Sequence, residues 1–248
     1  MKKNKNTRFI GLILYFIGAS LGFFILSMSV WGDIEANTFD AALRGEEPLR
    51  SLSCPVFITK GETGSISAVF KNSSDREANP NVRMRITQGF VTLYTEYLDP
   101  VVIPAHGATQ MEWKVTEDNA AFHRLILARV YQFANFGVPS RSYSCGIVLL
   151  PISGITGGQV FYGGLAVSVV VLFIGLSLYR PTTEDLRERA SMTFVRKQRV
   201  YRAFVYMGAY FIGAALLTLV GDWLLSIVLM VMAVVSAIGV LSFAASSQ

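Results

Sequence analysis

Charge is scarce in this sequence. Only 16% of its 248 residues are Asp, Glu, Lys or Arg, while 52% are hydrophobic; an ordinary soluble domain carries about 25% charged residues. That composition excludes a simple water-soluble fold and points to lipid. Histidine and cysteine are nearly absent, at two each: His106, His123, Cys54 and Cys145. Neither histidine has a Cys, Asp or His at the spacing of a zinc site, and no C-x-x-C-H offers covalent haem attachment. Nucleophile-elbow G-x-S-x-G, phosphate-binding G-x-x-x-x-G-K and dinucleotide-binding G-x-G-x-x-G are missing as well. The sequence therefore assigns no catalytic, metal-ligating or cofactor-binding residue, and neither an enzyme nor a small-molecule substrate is expected.

What is present instead is four long apolar runs, 9–31, 160–179, 203–220 and 223–245. About 20 residues at 1.5 Å each cross a bilayer core of about 30 Å, so each run reads as a transmembrane helix. The first is too long for the apolar part of a signal peptide, and no A-x-A-like site follows it, so an anchor is expected. Between the ends of these runs there is no ionisable residue, no histidine and no proline. Embedded charge and broken helices mark substrate pathways, so the spans read as anchor and docking surface. Asp222, with Gly221, falls in a tight outer turn between the last two runs.

Basic residues set the direction. Residues 1–8 hold four bases and no acid, and residues 180–202 hold seven bases against three acids. Residues 32–158 hold eleven bases among thirteen acids. Two short basic segments at span ends follow the positive-inside rule; nucleic-acid binding would need a basic face on one folded surface. Both termini and the 180–202 segment are expected in the cytoplasm, and residues 32–158 and 221–222 outside, across a bacterial inner (plasma) membrane. Trp31, Tyr162, Tyr179, Tyr201 and Trp223 sit where interfacial aromatics belong. Residues 182–202 read as a basic helix, either lying on the inner leaflet, with Arg196, Lys197, Arg199 and Arg202 meeting anionic headgroups, or simply extending the third span.

The outer part opens with a connector, 32–53, with a short helix around 35–44, and closes with a linker, 151–159. Between them, residues 54–150 carry about seven short alternating runs separated by turn residues, the pattern of an antiparallel sandwich. The run 66–74 (ISAVFKNSS), followed by 80–86 (PNVRMRI), resembles the opening hairpin of bacterial Ig-like, adhesion-type domains of the CARDB kind. The run 102–109 (VIPAHGAT), followed by 111–115 (MEWKV), resembles their middle strands. The resemblance implies an all-β Ig-like sandwich inserted between the first and second helices, and no catalytic residues. Cys54 and Cys145 depart from the antibody pattern, lying at the two ends of the domain.

Both cysteines fall in the part placed outside, where thiols oxidise and stay paired. A Cys54–Cys145 disulfide is expected, with two free buried cysteines as the alternative. Small residues at four-residue spacing occur in the spans: Gly18 and Gly22, Gly164 and Ser168, Ala209 and Gly213. Such spacing lets helix backbones approach, whether within this chain or against a partner or a second copy. The functional expectation is a non-catalytic accessory or scaffold subunit whose outer sandwich contacts protein. The alternatives are a ligand-binding sensor signalling through the spans, or an accessory subunit of a transporter or energy-transducing complex.

Overall fold

The structure is a computed structural model that describes residues 5–135, 137–180 and 192–245. Two compact units divide the chain: Met1–Val30 with Tyr162–Gln248, and Trp31–Phe161. Among the described residues there are four α-helices, α1 (Lys5–Thr38), α2 (Gly157–Tyr179), α3 (Met192–Val220) and α4 (Trp223–Ala245), with all strands between α1 and α2.

Three of these helices are long and apolar enough to cross a membrane, over Asn6–Thr38, Gly157–Tyr179 and Val200–Val220. The fourth expected span, 223–245, coincides with α4, a helix of 23 residues over Trp223–Ala245. The described part of the basic segment extends the third span, the second of the two readings. Residues 192–202 are the opening turns of α3 itself, because nothing between Met192 and Val220 interrupts helical hydrogen bonding. The part of the inner-leaflet helix at 181–191 lies outside the described residues.

The α3–α4 turn is closed by its own backbone. Gly221 has φ +83°, a conformation that suits glycine. Its N–H donates to the Thr218 carbonyl (3.1 Å), and the Asp222 N–H donates to the Leu217 carbonyl (3.0 Å). That pair of bonds is a Schellman stop. Asp222 then starts α4, its Oδ1 accepting the Leu225 N–H at 3.3 Å, as an N-cap does. The carboxylate nearest the spans is thus a helix cap. Above the turn, the buried Thr218 and Ser226 hydroxyls lie 2.8 Å apart and both approach the Ala214 carbonyl.

The second unit has two sheets. The larger runs β1 (Glu47–Pro48), β8 (Arg141–Leu150), β7 (Leu125–Gln132), β4 (Asn81–Gln88), β5 (Phe90–Pro100), with β2 (Phe57–Thr59) also on β8. The smaller pairs β3 (Gly64–Lys71) with β6 (Ala108–Val115). Alternation places Ile66, Ala68 and Phe70 of β3 and Trp113 and Val115 of β6 in one core. Val82, Met84 and Ile86 of β4, Ile126, Ala128 and Val130 of β7, and Ile147 of β8 face them there. Full burial of each large apolar side chain contributes about 1.5–3 kcal/mol.

The expected all-antiparallel sandwich is instead mixed, because β1 and β2 run parallel to β8. Between them, Cys54 is joined to Cys145 in the middle of β8, with Cα atoms 6.5 Å apart, which pins residues 47–59 against that strand.

The connector and linker are corrected too. Helix α1 runs on through residues 32–38, because Ala36 and Phe39 are buried against Leu127 of β7. β7 is consequently covered on both faces, by the core and by the end of α1. Helix α2 begins at Gly157, inside the expected linker.

Replacing both Cys54 and Cys145 by Ala frees a span of 91 residues, which in the chain-entropy model costs about 4–5 kcal/mol. Equilibrium denaturant unfolding of the intact protein in detergent is expected to show a loss of that order.

Candidate functional site

β5 is the last strand of its sheet, and it is exposed along almost its whole length. Its pairing with β4 defines its two faces. Thr95 and Tyr97 lie opposite Ile86 and Met84, whereas Glu96 and Leu98 lie opposite Arg85 and Arg83. Directly opposed residues share a face, so Thr95 and Tyr97 point to the core side of the sheet. Tyr97 stays exposed there all the same. Phe90, Leu93 and Leu98 are 56%, 56% and 53% exposed, and Tyr94 and Tyr97 more than 40%. The patch is continued by Phe122, 60% exposed and edge-on to Phe90 with ring centroids 5.7 Å apart. Natural edge strands are usually blunted by lysine, proline or an interior bulge. Here proline comes only at the last position and no lysine occurs; the one irregularity is a register shift opposite Thr87–Gln88 that leaves residues 91–93 of β5 out of step with β4, while 94–100 pair regularly.

On its outer face β5 is tied to α1 through charge. Glu96 accepts from Arg85 Nε at 2.7 Å and lies 3.5 Å from Arg83 Nε. The same Arg85 donates through Nη1 to Asp40 Oδ1 at 2.8 Å, two residues past the end of α1. Burial alone lowers the Arg85 pKa, but its bond to Glu96 and the charges of Asp40 and Glu96 outweigh that and raise it. The neighbouring Arg129 on β7 is 5% exposed. It donates to the Phe39 carbonyl (3.0 Å) and the Leu43 carbonyl (2.9 Å), a cation set at a helix C-terminus. Two arginines thus hold the end of α1 to the sheet.

The other helix is held at its start. Glu62 Oε2 accepts the Gly157 N–H at 2.8 Å and the Thr59 N–H at 2.8 Å. The Thr59 hydroxyl stands 2.9 Å from the same oxygen and 2.6 Å from the Ile155 carbonyl. A carboxylate at the first N–H of α2 meets the positive end of the helix. Burial pushes the Glu62 pKa up, but the hydrogen bonds from Thr59 and Gly157 outweigh it and hold it below the ordinary value. Beside Cys145, Gly146 packs its backbone on Gly32 of α1, where a Cβ would run into the Gly32 carbonyl. The Gly146 N–H also donates to Asp33 Oδ1 at 3.4 Å.

In the helical unit, the expected packing residues fall on the chain's own helices. A Cβ added at Gly18 would lie 2.7 Å from the Leu172 backbone N, and one at Gly22 would strike the Phe211 ring and Ser168. The Ser168 hydroxyl donates to the Gly18 carbonyl at 2.7 Å, and a Cβ on Gly164 would lie 2.6 Å from Ile25 Cδ1. Sequence inspection missed Gly11 and Gly175, which complete this antiparallel seam at Tyr15 and Leu178. The signal was there: 11, 15, 18, 22 and 25 follow the 4-3-4-3 spacing of a helix seam. Ala209 lies outside this set of contacts within the chain. It is exposed, because α3 turns Phe204, Met207, Gly208 and Phe211 inward instead, while Gly213 meets Leu229 of α4. Arg202 is exposed; the side chains of Arg196, Lys197 and Arg199 lie outside the described residues. His106, in a turn with φ +52°, stands 2.7 Å from exposed Asp75.

Two outcomes follow from these contacts. The stability contributed by Glu62 is complete above its ordinary pKa of 4.5 and is lost as the pH falls through the lowered folded value. The thermal midpoint of the wild type should therefore drop on acidification below 4.5 more steeply than that of Glu62→Gln. In the helical unit, Gly18→Leu and Gly22→Leu should each cost about 1–3 kcal/mol or more through overpacking. Ala209→Leu should leave the detergent unfolding midpoint unchanged.

No protein-family model matches the chain, nor does any curated protein sequence. Among solved structures, it is similar to red sea bream transglutaminase at 17% identity and TM-score 0.32, over 42% of this chain and 17% of that one. A Paenibacillus cycloisomaltooligosaccharide glucanotransferase matches at 12% identity and TM-score 0.32, over 45% of this chain and 15% of that one. The CARDB domain of a Pyrococcus furiosus protein matches at 10% identity and TM-score 0.26, over 39% of this chain and 84% of that one. The chain thus spans less than a fifth of the two enzymes, and at these scores the likenesses carry no argument about activity.

Proposed function

We propose that this chain is a non-catalytic membrane protein, an accessory or scaffold subunit whose outer Ig-like sandwich docks an extended segment of a partner membrane protein along β5. The single observation behind this reading is an eleven-residue edge strand that keeps its aromatic and aliphatic side chains in the open. In strand addition the main chain supplies hydrogen bonds and alternate side chains supply selectivity. β5 offers both. An accessory subunit of a transporter or energy-transducing complex is one form of the same role.

The orientation that goes with it has both termini in the cytoplasm of a bacterial cell and residues 32–158 outside. It is supported by the basic segments at 1–8 and 180–202 and by a disulfide suited to an oxidising compartment.

A second reading, a sensor signalling through the spans, is favoured by the chain Glu96–Arg85–Asp40. Occupation of β5 that displaced Glu96 would act on the residues that close α1.

A photoreactive residue at Leu93 or Leu98, irradiated in native membranes, is expected to give one discrete covalent adduct with another protein. The same residue at Lys71 on β3 should give none. Equal labelling at Lys71, or no protein adduct from β5, would sink the docking reading. An adduct of twice the chain's mass would assign the surface to self-association.

A further inference from the structure

The turn that leads into β7 has a shape that its residues do not suit. Ala121 and Leu125 exchange backbone hydrogen bonds of 2.7 and 3.2 Å, and the Arg124 N–H donates to the Ala121 carbonyl at 3.1 Å. Between them, Phe122 and His123 have φ +51° and +54°. Two consecutive left-handed residues in a tight turn call for Asn-Gly, Asp-Gly or Gly-Gly. A bulky side chain in that conformation strains the backbone. Little burial offsets the strain: most of Phe122 is exposed, while Ala120 and Ala121 beside it are buried. What the turn does is fix where the ring stands. The Phe122 N–H donates to the carbonyl of Gly89, between β4 and β5, at 2.9 Å, and the ring meets exposed Phe90 edge-on at the first position of β5.

We propose that Phe122 and Phe90 form an aromatic shelf that anchors the docked segment, receiving one of its apolar side chains at the start of β5; this rests on the docking reading above. Strain kept at an exposed residue points to a conformation that serves something other than the fold. Aromatic rings are the commonest anchors of protein interfaces, and this one is pre-set by the bonds that close its turn. The position of the shelf selects protein over lipid as its occupant. The end of α1 crosses the larger sheet from Gly146 of β8, which meets Gly32, to Arg85 of β4, which bonds Asp40. Helix α2 begins against β2, where Gly157 packs on the Phe57 carbonyl. Both connections to the spans thus lie on the β8–β2 side. β5 is the opposite edge, separated from β2 by β4, β7 and β8, a distance of about 19 Å at 4.7–4.9 Å per strand. A lipid contact belongs beside β2; a shelf on the far edge meets an extramembrane segment of protein.

The test uses the full chain in native membranes, with the photoreactive residue at Leu98, towards the other end of β5. Phe122→Asn suits the left-handed backbone and removes the ring. It is expected to keep or raise the thermal unfolding midpoint and to reduce the protein adduct about fivefold or more, as loss of an anchoring aromatic does. Phe90→Thr, which keeps a strand-forming residue, should reduce the adduct likewise; if one variant fails to fold, the other decides. His123→Gly relieves the neighbouring strained position and leaves the ring, so the adduct is expected at the wild-type yield. A loss there equal to that of Phe122→Asn would trace the effect to the turn and overturn the proposal. Undiminished adduct in Phe122→Asn and Phe90→Thr also overturns it and leaves the docking reading standing, whereas no adduct from the wild type removes both. A fall of the midpoint in both variants assigns the rings to the fold and overturns the shelf. A photoreactive residue at Phe122 itself should give the same protein adduct; labelling of lipid alone sinks the proposal.

Discussion

Two adjacent residues of β8 govern how the outer unit is built. Cys145 bonds to Cys54 and so lays residues 47–59 along the strand. Gly146 offers a backbone without a Cβ, and α1 comes to rest on it at Gly32. Either contact by itself would fix one segment. Together they fix the incoming chain twice, as a helix at Gly32 and as a parallel strip at 47–59. The buried inner face of β8 follows from the first contact, and the buried outer face of β7 follows from the second.

That arrangement also explains which parts of the fold could be read in advance. Strands β3 and β4 alternate cleanly, Ile66-Ser67-Ala68 and Val82-Arg83-Met84, because one face meets the core and the other meets water or paired charge. β7 does not alternate. Leu127 and Ala128 are both buried because α1 covers the face that a free sandwich would expose. The sequence marks a short helix around 35–44, but nothing local in Gly32–Thr38 announces that the helix leaving the apolar run will continue into it and pack; the partner surfaces lie far downstream, at Leu127 and Gly146. β1 was invisible for a related reason. Two residues, Glu47–Pro48, form a strand through hydrogen bonds to residues 140–142, almost 100 positions downstream.

The helical seam was partly legible. Glycine spacing found Gly18 and Gly22, since small residues reveal close approach whatever the partner. It did not say whether Ala209 faces inward or outward, because a four-residue spacing does not by itself give a helix phase; the larger residues Phe204, Met207 and Phe211 set the phase of α3. Arg85, Glu96 and Asp40 escaped detection for a different reason. They lie 45 and 11 residues apart, and only the β4–β5 pairing brings them into one line. β5 itself gave a usable sign, apolar or aromatic residues on both faces from Phe90 to Leu98, which suits a strand with uncommitted surface.

The grip on α1 and α2 bears on what β5 can do when it is occupied. A strand free to shift would absorb a docking event locally. β5 is not free, because Glu96 is bonded to an arginine that is also bonded to Asp40, and β4, on which Arg85 sits, is the central partner of β5. Its neighbour Arg129 holds the carbonyls of Phe39 and Leu43 from a nearly dry site, where breaking a charge-assisted bond costs more than in water. The soft point of this path is therefore the partly exposed Glu96, and the stiff point is Arg129. A partner strand carrying a cation beside Glu96 would compete for it with Arg85, and the released guanidinium would turn wholly to Asp40, tightening the hold on α1 at the moment of docking. A scaffold and a sensor would then differ only in whether the partner brings that cation.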